Sequence, residues 1–138
     1  MSLAAGTRLG PYEITSRIGA GGMGEVYLAH DERLDRDVAL KVLAAAVADD
    51  PASASRLRRE ARALSRLNHP NIAAVYDFDM RDGITFIAME YVSGLAVGDM
   101  AGQGALAEDR VLDLALQLAD GLVAAHREAE ARPRGQPE

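Results

Sequence analysis

The chain is predicted to be α+β: a small antiparallel sheet of five strands, one helix packed against it, and a helical segment beyond. Three observations carry that expectation. Short stretches of strand-like apolar alternation recur before residue 91. A single amphipathic stretch, residues 55–67, interrupts them after the third strand. Past Ser93-Gly94 the periodicity becomes helical, most clearly over residues 108–129.

The elements follow in order. Strands are predicted at residues 12–18 and 25–30, joined by a glycine-rich turn, and a third at 37–43 after the charged turn Asp31-Glu32-Arg33-Leu34-Asp35-Arg36. Asp49-Asp50-Pro51 punctuates the chain ahead of the helix, and Asn68-His69-Pro70-Asn71 ends it, because a residue before proline avoids helical backbone. Residues 72–79 and 84–90 are expected to pair across Arg81-Asp82-Gly83. Residues 95–107, rich in glycine and alanine, fit no element well. In the last helix Val111, Leu114, Leu118, Leu122 and Ala125 form one apolar stripe, and Leu112, Leu116, Ala119 and Val123 a second. A helix apolar around most of its circumference belongs inside a larger domain.

Composition narrows the function classes. The 138 residues carry a net charge of −6 and a pI near 5.0, which argues against nucleic acid as a partner. With no cysteine there are no disulfides or thiolate metal sites, and a reducing cytoplasm is the expected compartment. The most apolar region, residues 111–125, is broken by Asp113, Gln117 and Asp120, so no membrane segment is expected.

Two features carry chemistry. Gly19-Ala20-Gly21-Gly22-Met23-Gly24-Glu25-Val26 has G-x-G-x-x-G-x-V form, and such glycines let backbone N–H groups approach phosphate oxygens closely. Strand character follows it, which disfavours a dinucleotide fold, where a helix would begin. The second feature is Lys41, the only lysine beside fourteen arginines, in Val38-Ala39-Leu40-Lys41-Val42-Leu43. An ammonium suits a phosphate oxygen as a compact point charge. Glu60 falls within the stripe Leu57, Ala61, Leu64 and Leu67, so Lys41 and Glu60 are expected to form an ion pair. His30 and His69 read as structural.

These motifs, with Arg59-Glu60-Ala61, Leu67-Asn68-His69-Pro70-Asn71-Ile72 and Phe86-Ile87-Ala88-Met89-Glu90-Tyr91-Val92, resemble the first half of a bacterial-type serine/threonine protein kinase, over residues 12 to about 127. The resemblance implies a leader (1–11), a kinase small lobe with hinge (12–92), the helical start of a large lobe (93–129) and a polar tail (130–138). It implies ATP as ligand. Gly19, Ala20, Gly21, Gly22, Met23 and Gly24 would cover the phosphates, and Ile18, Val26 and Ala39 would line the adenine pocket, with Met89 as gatekeeper. Backbone groups of Glu90 and Val92 would bond adenine, and Lys41 would hold the α/β-phosphates while paired with Glu60.

The resemblance breaks off after the last helix. H-R-D-x-K-x-x-N and D-F-G do not occur; His126-Arg127-Glu128 is followed by Glu130 and Pro133 where the motif requires Lys and Asn. The catalytic base is therefore missing, as are the ligands for the Mg²⁺ that the family uses, and a protein substrate is implied only for a complete kinase. The expectation is an ATP-binding portion, cut before the catalytic loop and inactive alone. The alternative is a non-catalytic kinase-like binding or regulatory module.

Overall fold

The computed structural model describes residues 2–22 and 24–131. Its elements run β1 Arg8–Leu9, β2 Tyr12–Gly21, β3 Gly24–Asp31, β4 Arg36–Leu43, α1 Ala45–Ala48, α2 Pro51–Ser65, β5 Val75–Arg81, β6 Ile84–Glu90, α3 Val97–Gly102 and α4 Glu108–Glu130. They fall into two compact units, Met1–Arg66 with Ala74–Tyr91, and Leu67–Ala73 with Val92–Glu138.

The first unit is built on an antiparallel sheet in the order β1-β2-β3-β4-β6-β5. Among the described residues six strands stand where five were predicted. The addition is β1, in which Arg8 and Leu9 pair with Glu13 and Tyr12 across Gly10, whose φ of 59° makes the tight turn. Two residues are too short to show alternation in a sequence, yet Leu9 is buried in the core.

One face of the sheet holds that core: Leu9, Tyr12, Ile14, Tyr27, Ala29, Val38, Leu40, Phe86 and Ala88, with Leu3 from the leader packed against it. Tyr12 and Phe86 meet edge to face with ring centres 5.7 Å apart. The β5–β6 hairpin turns on Asp82 and Gly83, both at positive φ (53° and 75°), the two-residue geometry that follows strand twist.

Helix α2 starts at Pro51, earlier than the periodicity indicated. Asp50 caps it by accepting the Ser53 N–H at 3.1 Å, and Pro51 occupies the first turn, where no N–H is needed. Leu57 and Ala61 are its buried residues, and the Arg58 guanidinium lies 5.7 Å from the Phe78 ring centre on β5.

In the second unit, the 67–73 segment seats against α4. Asn71 Nδ2 donates to the Gln117 carbonyl at 2.9 Å, and His69 Nε2 lies 3.3 Å from Asp120. His69 Nδ1 accepts the Asn71 N–H at 3.0 Å, which places a proton on Nε2, facing that carboxylate. The backbone of Gly121 comes close because a Cβ there would lie 3.4 Å from the Asn71 carbonyl oxygen. This seat holds residues 72–73 out of the predicted fourth strand (72–79), and β5 begins at Val75. Short α3 occupies part of the stretch that the sequence left unassigned.

Candidate functional site

Strand register collects the predicted site residues of the first unit. Val26 of β3, Lys41 of β4 and Ile87 of β6 are directly opposite one another, and Leu28, Ala39 and Met89 form the next row. Opposite residues in an antiparallel sheet share a face. Val26, Ala39, Lys41 and Met89 therefore lie together on the face away from the Tyr27–Leu40–Ala88 core row. Ala39 is buried, whereas Val26, Lys41 and Met89 are half-buried. A lysine so placed has its stem among apolar side chains and its charge at their margin.

The glycine-rich turn closes the β2–β3 hairpin. Gly21 pairs with Gly24, Ala20 with Glu25 and Gly19 with Val26. Ile18 sits in a β-bulge between Arg17 and Gly19 and is 46% exposed, so it has no register partner on β3. A Cβ on Gly21 or Gly22 would meet nothing within 4 Å, which leaves room over the tip of the turn for a ligand to reach backbone amides. Gly24 is a glycine for another reason. Its φ is 141°, and a Cβ would fall 1.9 Å from the Val42 carbonyl oxygen on β4. Met23 lies outside the described residues.

One predicted contact is corrected. Glu60 does not reach Lys41; it pairs with Arg56 one turn earlier at 3.5 Å, with its side chain 58% exposed. At about 100° per residue, Glu60 lies roughly 80° around the helix from the line between Leu57 and Ala61, the two positions that α2 buries. The apolar stripe is narrower than the sequence indicated, since Leu64 is itself 38% exposed. Lys41 forms no ion pair among the described residues.

At the end of β6, the Glu90 N–H donates to the Ala74 carbonyl at 2.8 Å, and its carboxylate accepts the Ala74 N–H at 3.0 Å. Of its backbone groups only the carbonyl is left to offer. Val92 belongs to the second unit, where it is exposed.

The sequence reading missed a polar cluster behind the loop. The Tyr27 hydroxyl, on a ring with no exposure, accepts the Leu3 N–H at 2.9 Å and donates to Glu25. Glu25 also accepts from Ser2 Oγ and from Arg17 Nη1, each at 3.0 Å. The Tyr27 hydrogen bond, with those from Ser2 and Arg17, holds the Glu25 carboxyl below its usual pKa. The only sequence signal was a Tyr two residues after a Glu on one strand.

Residues 12–130 match the protein kinase domain. The chain belongs to the protein kinase family. Its curated relatives include serine/threonine-protein kinase PrkC of Bacillus subtilis, 41% identical over 119 residues, covering 86% of this chain and 18% of that protein. Serine/threonine-protein kinase PknE of Mycobacterium tuberculosis is 38% identical over 122 residues, covering 88% of this chain and 22% of that protein. Among solved structures, the PknI kinase domain of M. tuberculosis superposes with a TM-score of 0.80 at 36% identity, covering 91% of this chain and 51% of that one. The kinase chain thus spans about a fifth of the curated relatives' length and half of the solved domain. Among the described residues, no helix is long and apolar enough to cross a membrane.

Proposed function

We propose that these residues are the ATP-binding portion of a serine/threonine protein kinase and that, as they stand, they bind ATP without transferring its phosphate. The observation that carries the reading is the placement of Lys41. It is the sole lysine, free of any carboxylate among the described residues, and in register with Val26 beside the glycine turn.

The residues fit ATP. The open space over Gly21 and Gly22 admits phosphate oxygens to backbone amides, and the apolar side chains of Val26, Ala39 and Met89 on one sheet face suit a planar base. Glu90 would offer its backbone carbonyl to that base, with Ile18 at its rim. They do not fit Mg²⁺: the sequence lacks both metal-holding motifs, and no three acidic or histidine side chains converge among the described residues. In a complete kinase, bound ATP supplies the γ-phosphoryl group that passes to a Ser or Thr hydroxyl; here Lys41 would hold and orient the α/β-phosphates.

The test is nucleotide-dependent thermal stability. ATP at millimolar concentration is expected to raise the melting temperature of the wild type and to leave Lys41→Met unmoved; no rise in the wild type would remove the reading. A second reading, a non-catalytic module that binds another protein, is favoured by the exposed apolar side chains of α4. It predicts a monodisperse complex with a partner where the first predicts an ATP response.

A further inference from the structure

We propose that Glu25 is a positioning residue for the glycine-rich loop, and that the leader acts through it as a strap holding the loop from behind. The sheet supports the loop on one side more than the other. Strand β1 pairs with β2 only at Tyr12 and Glu13, and the leader's last backbone bonds to β2 are at Ile14. From there to Gly21 the outer edge of β2 has no strand partner among the described residues, so within the sheet the loop hangs on the β3 side alone.

Three connections converge on one carboxylate at that point. Arg17 ties Glu25 to β2 diagonally across the bulge, Ser2 ties it to the leader, and Tyr27 ties it to β3 and, through the Leu3 N–H, to the leader again. Leu3 is fixed in turn by packing on the core. Register puts Glu25 in a row with Val42 and Phe86, on the core face, whereas Val26 and Lys41 occupy the other. The strap therefore acts on the loop without standing where a ligand would. An ordered loop presents its amides without first losing the entropy of ordering them, which strengthens whatever they bind. Only this last consequence rests on the ATP reading.

Hydrogen exchange of the loop amides, residues 19–24, in the nucleotide-free chain tests the strap. Tyr27→Phe keeps the ring and removes both hydroxyl bonds; Glu25→Gln weakens the hub; Ser2→Ala removes one leader tie from an exposed site. Losing a hydrogen bond of ordinary net strength should speed loop exchange about fivefold in Tyr27→Phe and Glu25→Gln. Ser2→Ala should change it less, and the β4 and β6 amides should hold their wild-type rates. Arg8→Ala, which breaks leader contacts to Glu13 and Glu32 away from the loop, should leave residues 19–24 unchanged. Loop rates within about twofold of wild type in both Glu25→Gln and Tyr27→Phe would overturn the strap, on a scale where one net hydrogen bond is worth more than that. Should Tyr27→Phe fail to fold, Glu25→Gln and Ser2→Ala decide it. If the loop loosens while the wild type ignores ATP, the strap stands and the ATP reading falls. If the wild type binds ATP and the loop rates do not move, the reverse holds.

Discussion

Two glycines of one loop do different work. Gly22 has open space around its missing side chain, and Gly24 has a carbonyl of the neighbouring strand where a Cβ would be. Gly24→Ala must therefore displace β3 from β4 or abandon the positive φ, and a forced backbone of this kind costs on the order of 1–3 kcal/mol before the clash is counted. Chemical denaturation is expected to show at least that loss for Gly24→Ala and a change within about 0.5 kcal/mol for Gly22→Ala. A motif written as repeated glycine conceals that difference, because only the fold supplies the oxygen of Val42.

Tyr12 yields a pH prediction. Burial first, then the Asp77 carboxylate that its hydroxyl meets at 3.2 Å, pushes its pKa up to about 12 from 10.0. A group whose folded pKa is raised stabilises fully below the unfolded value and loses that contribution as pH climbs through the folded one. Stability should fall between about pH 10 and pH 12, with Tyr27, raised in the same sense chiefly by burial, adding to the slope. Denaturation curves across that window should be shallower in pH for Tyr12→Phe than for the wild type.

At the scale of elements, legibility followed length and partner count. Strands β3, β4 and β6 alternate over seven or eight residues and were readable to within a residue or so. β1 was invisible because two residues carry no period, and β5 begins three residues past the predicted Ile72 because the 67–73 segment serves α4 instead. The Lys41–Glu60 pair failed for a reason internal to α2: an arginine one turn upstream competes for the same carboxylate. The face of α4 is the counterpart. Leu112, Leu116, Leu118 and Leu122 are 51–70% exposed, as expected for a helix apolar around most of its surface and packed on little. Contiguous apolar surface of this kind drives association. The 138-residue chain should sediment as a concentration-dependent oligomer and enhance a hydrophobic dye. Leu116→Glu with Leu118→Glu should return it toward a monomer; a wild type that stays monomeric at high concentration would refute this.

For the molecule as a whole, the family and the sheet face of the site were legible because motifs at fixed spacing and strand register encode the same arrangement twice. Alternation along β4 puts Ala39 and Lys41 on one face, and only the register adds Val26 and Met89 to it. What could not be read depends on side chains from a distant segment: the leader reaching Glu25 and Tyr27. Such contacts leave no period in the chain.

The solitary lysine also makes the protein a self-reporting reagent. Apart from the chain's α-amino group, an acylating compound has a single primary amine to modify, and it is the one in line with Val26 at the glycine turn. Mass spectrometry of one peptide then measures how much of the face is covered at any moment. Any small molecule that shields it can be ranked by protection from acylation, with no phosphotransfer needed.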